Sequence, residues 1–291
     1  MARLGERVRE AARTLAAAGV PSPDHDAREL AAHVLGEPRY PVLEPDDVPA
    51  SFDDDYALVV SRRAAREPLQ HILGYTVFRH VRLTIDPTVF VPRPETEVVA
   101  EVAIDEAARL ADEGGTPLVV DLCCGSGAIA ASVHAEVRRA IVVAVDASPD
   151  AARMTRANVG RVGPAGDLGP RVETGDVTDA ALLEDLNGSV DVVASNPPYI
   201  PPGAVPRDPE VRDYDPALAL YGGGEDGLDV PRAVIATAAR LLRPGGLLVM
   251  EHAEVQGAQA RDAALAAGDF HHIETRQDLT GRDRMLVARR R

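Results

Sequence analysis

Leu4, Val8, Ala11 and Leu15 recur at the spacing of a helix with one apolar face, and Pro21 ends the pattern, which predicts an amphipathic first helix. Ser22 before Pro23 and two acidic residues reads as an N-cap, with Gly36 as the stop for a second helix through Val34. Ser51 before Asp53, Asp54 and Asp55 opens a third helix, expected to run to about Arg66, and Pro68 to Leu73 reads as a helical turn closed by Gly74. Residues 1–74 are therefore expected to form a small helical domain. From 75 to 94 the β-formers Val77, Val81, Leu83, Ile85, Val89 and Val91, with a turn expected at Asp86-Pro87, predict a hairpin linker. Beyond Glu95, apolar runs at 118–122, 141–145, 190–194 and 247–250, with weaker ones at 171–174, 271–275 and 285–288, alternate with helical stretches. That alternation predicts a doubly wound parallel sheet over residues 95–291. The Gly/Pro-rich stretches 160–170 and 200–227 read as loops, the second long enough to suggest an active-site role.

Composition narrows the chemistry. The chain has 291 residues, 45% hydrophobic and 26% charged, enough apolar material for a sizeable core. It contains no lysine, so all 31 basic residues are arginines and no mechanism can use a catalytic lysine. A net charge of −15 works against general binding to nucleic acid, which needs clustered cations. Cys123 and Cys124 are adjacent, which suits neither a disulfide framework nor a paired-cysteine metal site, and no metal is expected. The first twenty residues lack a signal peptide's apolar core and no stretch approaches a membrane span, so the expected location is the cytoplasm.

The run 118–122 leads into Cys123-Cys124-Gly125-Ser126-Gly127, and Gly125, Gly127 and Ala130 fit the glycine-rich turn that opens a helix beneath a nucleotide. A bland tight turn has the same pattern, and the neighbouring acids sharpen it. Asp146 ends the second run, 19 residues after Gly127, where a carboxylate can accept both hydroxyls of a ribose. Asp121 precedes the glycines, where it would repel a pyrophosphate but could pair, directly or through water, with the ammonium of a methionyl group. That favours S-adenosylmethionine over NAD. Asp176, after the third run, can accept from an adenine amine, although an isolated loop aspartate is more often merely solvated.

The run 190–194 ends in Ser195-Asn196-Pro197-Pro198-Tyr199-Ile200. As pure structure this is a strand-terminating turn. As chemistry, the Asn196 side-chain oxygen and the Pro197 carbonyl can hold the NH2 of a planar nitrogen and stabilise the positive charge that develops on methylation. Pro198 would stiffen the turn, and Tyr199 offers a flat face to a planar group.

Together, the glycine turn, Asp146 and the Asn-Pro-Pro-Tyr run resemble class I methyltransferases acting on planar nitrogens, on DNA bases or on protein glutamines. The segment from Pro68 to Glu97, including Pro92-Arg93-Pro94-Glu95-Thr96-Glu97, then the glycine turn, Asn-Pro-Pro-Tyr-Ile, and Gly222-Gly223-Gly224-Glu225-Asp226-Gly227-Leu228, is similar to the release-factor glutamine methyltransferase family of HemK or PrmC type and a related branch of high-GC bacteria. The resemblance implies a Rossmann-like α/β fold with a mostly parallel seven-stranded sheet, preceded by the helical domain and the hairpin. It implies cofactor contacts from Cys123, Cys124, Gly125, Ser126, Gly127, Asp146 and Asn196, with Val177 beside the adenine and Phe90 and Arg93 near the pocket. Residues 196–199 would hold a glutamine, in the Gly-Gly-Gln loop of a peptide chain release factor or a related protein. Cys123 stands where the family has the first glycine of its turn, and Ala253 where a glycine often follows Glu-His. Two other readings stay open: an amino-methyltransferase of adenine or cytosine in DNA or RNA, and a cofactor-binding scaffold without turnover. The charge, and the lack of a basic or aromatic insert to grip a flipped base, weigh against the first. An intact Asn-Pro-Pro-Tyr weighs against the second.

Overall fold

The computed structural model describes residues 3–42, 48–163 and 169–291. The chain forms two compact units, Met1–Tyr75 with Val205–Tyr214, and Thr76–Ala204 with Asp215–Arg291. Among the described residues no helix is long and apolar enough to cross a membrane.

The first unit contains α1 (Leu4–Ala17), α2 (Pro23–Leu35), α3 (Phe52–Ala64) and α4 (Leu69–Leu73). The predicted apolar stripe, Leu4, Val8, Ala11 and Leu15, is buried with Leu30, Phe52, Tyr56 and Ile72. Gly36 and Gly74 both close their helices in the left-handed conformation, which glycine adopts without a Cβ penalty. Ser22 and Ser51 precede their helices as expected, but neither side chain makes a capping bond. The third helix stops at Ala64, short of Arg66.

The 200–227 stretch is not a plain loop. It carries α8 (Pro209–Tyr214) and α9 (Ala217–Leu220). Glu210 explains why 205–214 belongs with the helical unit: it pairs with Arg63 at 2.9 Å and with Arg66 at 2.6 Å, while the Tyr214 hydroxyl donates to the Ala65 carbonyl. Nothing in the local sequence pattern signals those partners.

In the hairpin, β1 (Tyr75–Phe78) pairs with β2 (Val81–Thr84). Its reversal lies at Arg79-His80, with Arg79 at φ +51, and not at Asp86-Pro87. Glu97 accepts the Arg79 backbone N–H at 2.9 Å, and Glu136 takes its guanidinium at 2.7 Å, so side chains from elsewhere set this reversal. Asp86 does start a turn, its Oδ1 receiving the Thr88 N–H, but Ile85, Val89 and Val91 bury themselves in the core outside any strand.

The second unit continues with α5 (Pro94–Asp112), β3 (Leu118–Leu122), α6 (Ala128–Glu136), β4 (Ile141–Asp146), α7 (Pro149–Val159), β5 (Arg171–Thr174) and β6 (Val190–Ser195). After α8 and α9 come α10 (Asp229–Leu241), β7 (Leu242–Glu251), α11 (Gly257–Ala267), β8 (Phe270–Gln277) and β9 (Asp283–Arg290). Every run read as a strand is one, most extended by a residue or more; of the 160–170 loop, residues 164–168 lie outside the described residues. The strands form one seven-stranded sheet in the order β5-β4-β3-β6-β7-β9-β8, parallel except for β9. Alternation along the strands divides the core between two faces. Val119, Val142, Ala144, Val192 and Val249 pack beneath α5, α6 and α7, while Val120, Leu122, Val143, Val193 and Met250 pack beneath α10 and α11. The strand order reverses direction between β3 and β6, so the crevice beyond their carboxyl ends is where such a fold binds ligands.

Candidate active site

β3 leads directly into the glycine turn. Cys123, Gly125 and Gly127 have φ of +60°, +56° and +80°. The turn is closed by backbone bonds, Cys124 N–H to the Val145 carbonyl at 3.0 Å and Gly127 N–H to the Cys124 carbonyl at 2.7 Å. A Cβ on Gly127 would lie 2.9 Å from Thr155 Cγ2, so glycine is required there for space as well as conformation. Thr155 and Asn158, both fully buried on α7, support the turn from behind. The Thr155 hydroxyl donates to the Gly125 carbonyl at 3.0 Å, and the Asn158 amide donates to the carbonyls of Ser126 and Thr84. Neither residue was singled out from the sequence, where both look like ordinary helix positions.

Asp121, at 1% exposure, lies under this turn. Its Oδ2 accepts the Ala130 N–H at 3.0 Å, and its Oδ1 is buried with no hydrogen-bond partner among the described residues. Burial raises its pKa to about 8, against the Ala130 bond and with help from the charge of Asp146. Asp146 ends β4 and is already engaged by backbone: Oδ2 accepts from Gly125 and Oδ1 from Ser148, each at 2.8 Å. It therefore shapes the turn, beyond the ribose role read from its spacing. Burial also raises both cysteine thiols, so neither is a ready nucleophile.

Asp176 is exposed and folds back on Thr178, accepting its N–H and hydroxyl at 2.8 and 2.7 Å, which lowers its pKa. Val177 is buried among the residues packed under α10, and its carbonyl accepts the Thr237 hydroxyl. Phe90 and Arg93 meet each other, the guanidinium 5.0 Å from the ring centre, and Arg93 pairs with Asp215 at 3.2 Å. Asp215, not recognised in the sequence, has a fully buried side chain whose pKa burial raises to about 6 against the charge of Arg93.

β3 and β6 are hydrogen-bonded neighbours, with Leu122 opposite Ser195, so the glycine turn and Asn196-Pro197-Pro198-Tyr199 leave the sheet at the same level. The Asn196 amide nitrogen lies 3.1 Å from the Thr96 hydroxyl, which donates to Glu251 Oε2 at 2.7 Å, and the Tyr199 hydroxyl donates to Glu251 Oε1 at 3.0 Å. Among the described residues no hydrogen bond reaches the Pro197 carbonyl. Gln256 donates to the carbonyls of Tyr199 and Asp226 at 2.8 and 2.9 Å. Gly222 and Gly227 press on the same run: a Cβ on Gly222 would lie 2.6 Å from the Pro198 carbonyl oxygen, and one on Gly227 2.3 Å from that of Tyr199. Thr96, Glu251 and Gln256 were missed in the sequence. Their roles arise from contacts over 100, 52 and 57 residues that no local pattern records.

The PrmC N-terminal domain family matches residues 6–74 and the methyltransferase small domain family residues 98–207. The release factor glutamine methyltransferase of Streptomyces coelicolor is 47% identical, over 97% of this chain and 96% of its own. That of Bifidobacterium longum is 43% identical over 97% of each, and that of Mycolicibacterium smegmatis 43% identical over 100% and 99%. A solved 16S rRNA methyltransferase of T. thermophilus shares the fold, with a TM-score of 0.50 at 23% identity over 75% of this chain and 50% of its own. At these identities, and over nearly its whole length, the chain belongs to the release factor glutamine methyltransferase family.

Proposed function

We propose that the chain methylates the side-chain amide nitrogen of a glutamine in a partner protein, the Gly-Gly-Gln loop of a peptide chain release factor or a close relative of one. The observation that carries this reading is the position of Asn196-Pro197-Pro198-Tyr199 one strand away from the glycine turn, at the same level of the sheet. Adjacent strands lie about 4.8 Å apart, so an acceptor held at one is within reach of a donor held at the other.

The residues at the glycine turn fit S-adenosylmethionine. The unpartnered, buried Oδ1 of Asp121 suits an ammonium group, and the left-handed turn leaves room for close approach of a ligand to the backbone. Asp146, whose two oxygens each hold one N–H, retains lone pairs for ribose hydroxyls. When bound, the cofactor supplies an activated methyl group, so neither a metal nor a strong base is required.

The chain's own task is to make a poor nucleophile usable. An amide lone pair is delocalised into its carbonyl. The Asn196 side-chain oxygen and the Pro197 carbonyl accept the two N–H groups of the glutamine amide, fixing its plane and favouring the charge that develops on nitrogen. With S-adenosylmethionine bound, the nitrogen would take the methyl as the sulfonium became a neutral thioether, and the extra proton on nitrogen would leave to solvent. Tyr199, positioned through Glu251, flanks the planar group.

The test incubates the enzyme and methyl-labelled cofactor with release factors, with a variant in which the loop glutamine is alanine, and with duplex DNA. Label on the wild-type loop alone supports the proposal. Label on DNA overturns it in favour of a nucleobase acceptor.

A further inference from the structure

We infer that Glu251 is a positioning residue that, through the Thr96 hydroxyl, sets which end of the Asn196 amide faces the acceptor. The inference rests on the reading above, in which Asn196 must present oxygen to an NH2. An asparagine amide fits its surroundings two ways round, with either oxygen or NH2 outward, and only a hydrogen-bond network decides between them. Here the network has a direction. Glu251, at 2% exposure, is an acceptor on both oxygens when ionised. Thr96 has one hydroxyl proton, and Glu251 Oε2 at 2.7 Å takes it. The Thr96 oxygen then has only lone pairs to offer Asn196, so it accepts from the Asn196 NH2 at 3.1 Å and the Asn196 oxygen turns away from it.

The same carboxylate receives the Tyr199 hydroxyl on Oε1. One buried charge at the end of β7 thus orients the first and last residues of the Asn-Pro-Pro-Tyr run, neither of which lies within 50 positions of it. Two prolines between them supply no N–H with which the run could orient itself. Burial raises the Glu251 pKa to about 7, opposed by the two hydroxyls and by Arg284 and assisted by Glu95, so the acceptor-only form prevails above neutral pH.

The test compares Thr96→Val, which keeps the shape and removes the hydroxyl, with Thr96→Ser, which restores it, both in the full chain at pH 8. With a peptide chain release factor as acceptor, Thr96→Val should lower kcat by about tenfold or more while cofactor affinity by calorimetry stays within about threefold; Thr96→Ser should recover most of the loss. With 15N-labelled asparagine, the Asn196 side-chain NH2 should exchange with solvent at least about tenfold faster in Thr96→Val than in wild type or Thr96→Ser. Unchanged kcat together with unchanged exchange overturns the relay. If the wild-type enzyme leaves the release factor unlabelled, the acceptor assignment fails by itself, and the exchange measurement still decides the relay.

Discussion

At the carboxyl end of β3 the chain reverses within residues 123–127 through three positive φ angles and two main-chain hydrogen bonds, with the side chains of Asp146, Thr155 and Asn158 bonded to the turn's own backbone groups. At the carboxyl end of β6, residues 196–199 include two prolines and are held by side chains of Thr96, Glu251 and Gln256 and by the close approach of Gly222 and Gly227. The two ends sit side by side on the sheet. Both draw on distant side chains, Thr155, Asn158 and Asp146 at the first and Thr96, Glu251 and Gln256 at the second, but only the first also has a glycine-rich backbone conformation that a short sequence can specify. The first, the proposed cofactor end, should therefore respond to changes in backbone freedom, and the second, the proposed acceptor end, to removal of single polar atoms far away in the chain.

The largest expected effect is at the acceptor end. Asn196→Ala would remove one of the two acceptors we propose for the glutamine amide, and loss of one such group typically costs about 10²–10³ in turnover. Steady-state kinetics should find that loss in kcat while calorimetry finds the cofactor still bound. If cofactor affinity falls in parallel with turnover, Asn196 belongs functionally to the cofactor end and the division between the two ends is wrong.

The same division explains what the sequence made legible. Four strands of the large sheet, β3, β4, β6 and β7, follow from clear apolar runs, because a buried parallel strand must be apolar on both faces, whereas β5 and β8 at the sheet's edges and the antiparallel β9 carry polar residues and signal themselves more weakly. The glycine turn is legible because positive φ selects glycine at Gly125 and Gly127. The turn expected at Asp86-Pro87 is present, but the hairpin itself reverses at Arg79-His80, a weaker local signal, where Glu97 and Glu136 hold Arg79. Thr96, Glu251 and Gln256 escaped for a related reason. A threonine in the first turn of a helix, a glutamate ending a strand and a glutamine after it are unremarkable until folding brings them together. Glu210, which ties 205–214 to the helical unit, is hidden in the same way.

A smaller effect sharpens the cofactor end. The Asp121 pKa, about 8 in the folded protein, lies above the ordinary aspartate value, so the folded state holds a proton there that the unfolded chain releases. Its contribution favours folding at low pH and is lost as pH rises from about 4 to 8. An ammonium ligand favours the ionised form, so binding expels that proton and tightens as pH rises. The slope is at most about tenfold per pH unit, levelling off near pH 8, where a free α-amino group also loses its charge. Calorimetry in buffers of different ionisation heat should detect proton release below pH 8, and Asp121→Asn should abolish it. A pH-independent affinity in the wild type would place the ammonium elsewhere.

The smallest expected effect tests whether the turn is as much a matter of backbone as its geometry implies. Cys123 sits at φ +60°, where an L-residue carries roughly 1–2 kcal/mol of strain. Cys123→Gly relieves it but loosens the unfolded chain, at a cost of about 0.4–1 kcal/mol, and gives up the packing of the sulfur against the core beneath α10. These terms oppose each other, so denaturant unfolding should find the glycine variant within about 1 kcal/mol of the wild type. Cys123→Val keeps a comparable apolar volume but puts a β-branched side chain at positive φ, and should be less stable than the glycine variant by about 1–3 kcal/mol. Cofactor affinity should follow the same order, since the residue acts through the turn. Equal stability of the glycine and valine variants would mean that the backbone at 123 relaxes freely, and the local specification of the cofactor end would no longer hold.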